Sequence, residues 1–78
     1  MTSSGEGEIK KRSVYIAGHQ TSVTIETIFW ALLSEEAAER GLSINQLVTE
    51  IDACREGNLS SAIRVHVLKT VLGKTPND

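Results

Sequence analysis

The sequence predicts an α+β domain, mostly helical, in which a short N-terminal β-ribbon is followed by three helices. Three observations carry that expectation. Through Thr21-Ser22-Val23-Thr24-Ile25, apolar and polar residues alternate with the period of a half-buried strand. From Glu26 the period changes, and Phe29, Leu32, Leu33 and Ala37 fall at helical spacing. Helix punctuation then recurs: Gly41 closes the first helix, Ser43 opens a second, and Gly57-Asn58 separates the second from a third.

Taken in order, residues 1–9 are small, polar and rich in Gly and Ser, and they read as a flexible arm. Lys10, Lys11 and Arg12 follow as a basic cluster with two readings, a solvated edge that discourages sheet aggregation or an arm that reaches phosphates. Val14, Tyr15 and Ile16 carry enough β-branched and aromatic character for a strand. Counted by twos, Val14 and Ile16 fall out of phase with Val23 and Ile25. The pattern breaks near Gly18, which fits two strand segments better than one straight strand. A lone strand must find a partner, so the strand at residues 21–25 is expected to pair with this upstream segment or with its own copy in a second chain.

The first helix is expected from residue 26 or 27 to 40, with Thr27 as N-cap and the one tryptophan, Trp30, buried or at an interface. The second runs over residues 43–55, with Ile44, Leu47, Val48 and Ile51 at i, i+3, i+4 and i+7. Asn58 caps a third over residues 59–72, ended by Gly73. Its apolar residues surround more of the helix than one core-facing stripe requires, so part of it is expected to meet another chain. The domain therefore spans residues 10–73, and 74–78 is a polar tail in which Pro76 stops the helix.

A chain of 78 residues makes one small domain, a size at which disulfides, metals or a second subunit often add stability. A single cysteine excludes an internal disulfide framework and a multi-cysteine zinc site, and Cys54, beside Ala53 in a helical pattern, is expected buried. Association is what remains. The net charge of −2 excludes a uniformly basic surface, yet the charge is uneven: the basic cluster precedes the strands, whereas Glu35, Glu36 and Glu39 gather on the first helix. No apolar run reaches the length of a membrane span and there is no signal-peptide segment, so the chain is expected in the cytoplasm.

No nucleophile–histidine set, paired-carboxylate motif, phosphate loop or dinucleotide fingerprint is present, so no catalytic residue and no cofactor is assigned. His19 has no second ligand at metal-binding spacing and reads as a structural or hydrogen-bonding residue, which leaves no metal site either.

The strand, the helix, the Gly-Leu-Ser turn and the second helix resemble the ribbon-helix-helix family, the dimeric DNA-binding fold of the Arc and MetJ repressors. The resemblance rests on Ser22-Val23-Thr24-Ile25, Phe29-Trp30, Leu33, Ala37, Arg40-Gly41-Leu42-Ser43 and Leu47-Val48, which together cover half the chain. Residues 12–67 are similar to a bacterial subgroup that carries a Gly-His-x-Thr-Ser-Val strand, here Gly18 to Val23, a later Asn-Leu-Ser-Ser-Ala segment, here Asn58 to Ala62, and an extra C-terminal helix. The resemblance implies an intertwined homodimer, a transcriptional regulator in which two chains pair their strands into an antiparallel ribbon that enters the DNA major groove. By position, Gln20, Ser22 and Thr24 would read base edges. Ser43, Ile44 and Asn45, at the start of the second helix, would hold a phosphate, joined by Lys11 and Arg12. The rival expectation is a dimeric protein-interaction module that keeps the fold without binding DNA and offers the acidic first helix to a protein partner.

Overall fold

The computed structural model describes residues 7–55 and 57–74, so residues 1–6 of the expected arm at 1–9 and residues 75–78 of the expected tail at 74–78 lie outside it. Two strands, β1 (Ile9–Ile16) and β2 (His19–Glu26), precede three helices, α1 (Thr27–Arg40), α2 (Ile44–Cys54) and α3 (Leu59–Lys74).

The two strands pair antiparallel within the one chain, with Ile16 opposite His19 across a two-residue loop. Both loop residues have positive φ, 54° at Ala17 and 82° at Gly18. Positive φ at both central positions is the type I′ pattern, whose twist matches that of the flanking strands. Folding back through this turn resolves the phase break in the sequence. Directly opposed residues share a face, so Val14 and Ile16 of β1 and Val23 and Ile25 of β2 all point into the core. The buried residues lie near the turn on β1 and far from it on β2, a diagonal stripe that the helices cover: α2 lies against β1, while α1 and α3 meet β2. With Leu33 and Ala37 of α1, Leu47, Val48 and Ile51 of α2, and Ile63 and Val67 of α3, that stripe forms one core.

The helix ends follow their local chemistry. Gly41 at φ 71° takes the left-handed position that closes α1, and the Leu42 N–H bonds back to the Ala37 carbonyl. Ser43 and Gln46 form a reciprocal capping box at the start of α2. The Asn58 side chain accepts from the Ser61 N–H and opens α3.

Four expectations need correction. Thr27 is the first helical residue rather than the cap; Glu26 holds the cap position, and the Thr27 N–H and hydroxyl both donate to the Glu8 carbonyl, tying the start of β1 to α1. The helix α3 passes through Gly73, which is not in a left-handed conformation there; a glycine near a helix end costs only about 1 kcal/mol, and Pro76 lies just beyond. Cys54 is exposed, because the far end of α2 lies against an open groove between α2 and α3 rather than under the core. The second glutamate of the acidic helix does not face solvent. Glu36 is 8% exposed and takes His66 Nε2 on both carboxylate oxygens, at 2.9 and 3.0 Å, with Arg40 at 3.3 Å and the Thr70 hydroxyl at 3.4 Å. It clamps α3 onto α1.

Candidate functional site

The hairpin has one face on the core and one that no described residue covers. On the uncovered face, register places Lys11 opposite Thr24, Ser13 opposite Ser22 and Tyr15 opposite Gln20. All six are exposed. The three residues expected to read bases thus share one surface, and each is paired across the ribbon with a residue of β1. Two of these β1 residues, Ser13 and Tyr15, were not legible as site residues. Only the pairing register brings them onto the face, and the register depends on the Ala17-Gly18 turn.

Both outer edges of the ribbon are held by helix starts. The Tyr15 N–H, on the free edge of β1, donates to Asn45 Oδ1 at 3.1 Å, which fixes the first turn of α2 beside the strand. On the free edge of β2, the Ser60 hydroxyl donates to the Thr24 carbonyl at 2.9 Å and fixes the first turn of α3. At the α2 start, the Ser43 hydroxyl accepts from the Gln46 N–H and the Gln46 side chain accepts from the Ser43 N–H. The N–H groups of Ile44 and Asn45 belong to the first turn and have no partner carbonyl within α2. Ser43, Ile44 and Asn45 therefore lie together at a positively polarised helix end, in fixed relation to the ribbon.

Arg12 stands apart from the other basic candidate. Paired with Val23, it points to the helix side of the hairpin, where its guanidinium lies over the Trp30 ring at 5.4 Å and its Nε is buried with no hydrogen-bond acceptor among the described residues. Trp30 is correspondingly half-buried. The stacking holds a cation against the core edge through the ring's negative face. Lys11, by contrast, faces outward with Ser13 and Tyr15.

Three carboxylates, Glu26, Glu36 and Glu50, are paired with arginines. Glu26, at the end of β2, receives Arg64 Nε at 2.7 Å, and that hydrogen bond holds its carboxyl below the usual range. Arg40 bridges Glu50 and Glu36, and Glu50 first and Glu36 second raise its affinity for the proton still further. Among the described residues no group of three or more His, Cys, Asp or Glu could hold a metal ion, and no helix is long and apolar enough to cross a membrane.

A solved structure of an uncharacterized protein from Bordetella pertussis Tohama I is similar in fold, with a TM-score of 0.75 and 28% sequence identity over 95% of this chain and 67% of that one. No curated protein matches the chain. The family model of the ribbon-helix-helix domain, a family generally of DNA-binding transcription regulators, matches residues 9–71, from the first residue of β1 almost to the end of α3. The chain belongs to the ribbon-helix-helix domain family.

Proposed function

We propose that this protein is a homodimeric, sequence-specific DNA-binding protein of bacterial cytoplasm that regulates transcription, and that the hairpin of each chain enters the major groove. The observation that carries the reading is the uncovered ribbon face, polar or hydroxyl-bearing from Lys11 to Tyr15 and from Gln20 to Thr24, and flanked on both edges by helix starts. A major groove admits a two-stranded ribbon, and its phosphates run along either side. In this reading Gln20, Ser22 and Thr24 contact base edges, with Ser13 and Tyr15 beside them. Lys11 and the Ser43-Ile44-Asn45 turn hold phosphates, and Arg12 keeps the ribbon seated on Trp30. Because β1 and β2 differ in sequence, one ribbon has no internal two-fold axis and reads a non-palindromic core.

The test is a titration of wild type and variants against a site selected from random DNA and against scrambled DNA, at several salt concentrations. Lys11→Ala weakens binding to every sequence and makes the salt dependence shallower by about one unit. Gln20→Ala reduces preference for the selected site by roughly 1–3 kcal/mol and spares nonspecific binding. A wild type that binds no DNA even at low salt overturns the reading. The fold would then serve as a protein-interaction module, with the outward carboxylates of α1 as its charged surface.

A further inference from the structure

The groove between α2 and α3 holds a volume of about 610 Å³, the size of a site for a small organic molecule. Ile51 of α2 and Ala62 and Val65 of α3 give it an apolar surface. Four ionisable side chains line the same groove, Glu50, Arg55, His66 and Lys69, and their partners leave its charge uneven. The Glu50 carboxylate is held by Arg40 at 2.9 Å, and His66 Nε2 is held by Glu36 at 2.9 and 3.0 Å. Neither Arg40 nor Glu36 lines the groove. Arg55 gives its Nε to Asp52 at 2.7 Å and one terminal nitrogen to the Gly57 carbonyl at 2.9 Å, which leaves the other terminal nitrogen open among the described residues. Lys69 is exposed and has no acidic partner among the described residues.

We propose that this groove is a binding site for a small amphipathic anion, a medium-chain or aromatic carboxylate. Its apolar body would lie on Ile51, Ala62 and Val65, and its charge would pair with Lys69 and the open side of Arg55. The inference goes beyond the DNA-binding reading and does not rest on it. Charge complementarity selects the occupant. A cationic guest finds one carboxylate in the lining, Glu50, and that one is already matched by Arg40. A neutral apolar guest covers the same surface and leaves the Lys69 ammonium partly desolvated without a partner. A carboxylate on an apolar body meets both demands at once.

Cys54 is the one cysteine of the chain, is exposed and lines the groove, so its alkylation reports on occupancy. The full chain is treated with iodoacetamide in the presence of octanoate, octylammonium or acetate. Octanoate is expected to slow alkylation saturably. Octylammonium, with the same tail and the opposite charge, and acetate, with the charge and no tail, are expected to leave the rate unchanged. Lys69→Gln should weaken the protection by octanoate roughly two- to five-fold, as for an exposed ion pair. Lys69→Glu should transfer protection to octylammonium. A second measurement needs no variant: in amide NMR of wild type, octanoate should shift signals from the end of α2 and from α3 and leave the hairpin unmoved. Equal protection by both amphiphiles, protection by neither, or shifts confined to another surface overturns the site. A Cys54 that resists iodoacetamide in the free protein overturns it too, because the groove is then already covered.

Discussion

The closure of the ribbon within one chain can be tested at the turn itself. Ala17 holds φ 54°, a left-handed conformation that costs an alanine about 1–2 kcal/mol, while Asn tolerates it through local hydrogen bonding. Ala17→Asn should therefore stabilise the fold by about 1 kcal/mol, which in a domain of this size raises Tm by roughly 4–8 °C. Ala17→Gly relieves the same strain but restores about 0.4–1 kcal/mol of unfolded-chain freedom, so its net effect should be close to zero. Gly18→Ala should cost about 1 kcal/mol. Nothing lies within 4 Å of the added Cβ, so that loss comes from φ 82° alone and not from a clash. Thermal and urea unfolding at one fixed protein concentration measures all three, since dimerisation would otherwise mix concentration into the midpoint. Asn above both Gly and wild type, with Gly18→Ala below them, is the signature of a strained two-residue turn. Three neutral substitutions would make residues 17 and 18 a slack connection, and the intrachain hairpin would be wrong.

Other substitutions address the faces, the clamp and the acid limb. Ile25→Asp puts an unpaired charge at a site with 0% exposure and should abolish folding, whereas Thr24→Ala, on the uncovered face, should leave Tm nearly unchanged by circular dichroism; equal losses would reverse the face assignment. Glu36→Ala should lower stability by about 1–3 kcal/mol in urea titration, because His66 and Thr70 lose their acceptor at the α1–α3 contact, and an unchanged midpoint would mean that the clamp is inert. The Glu26 carboxyl is held below its usual range by Arg64, so its contribution is fully present above the unfolded carboxylate range and is lost as pH falls through the lowered folded value. Arg64→Gln should flatten that part of the stability–pH curve, and identical acid slopes in the two proteins would refute the linkage.

Much of this architecture was legible because it is local. The shift from period two to helical spacing at Glu26, the capping residues Ser43 and Asn58, and Gly41 are each decided by a few neighbouring residues. The phase break between Val14–Ile16 and Val23–Ile25 likewise announced two strand segments. What it did not decide was whether the first segment or a second chain supplies the partner strand. Ala-Gly is a weak signal for a type I′ turn beside Asn-Gly, and only the register of the folded hairpin settles the pairing. The contacts that seat the ribbon were illegible for a different reason. Asn45 to Tyr15, Ser60 to Thr24 and His66 to Glu36 span 30, 36 and 30 residues, and no periodic pattern encodes a hydrogen bond at that separation.

That division has a physical consequence for the oligomer. The expectation of a dimer drew on an unpaired strand, a short chain and an apolar third helix. The strand is paired within the chain, and Ile63 and Val67 take one side of α3 into the chain's own core. The opposite side, Val65, Leu68 and Leu72, is the part of that argument left uncovered. Pairing β1 with β2 satisfies the inner strand hydrogen bonds within one chain, while the outer edges, held at Tyr15 and Thr24, still present strand groups to water or to a partner. Strand formation and association are then separable steps. The face that carries Lys11, Ser13, Tyr15, Gln20, Ser22 and Thr24 is complete within one chain.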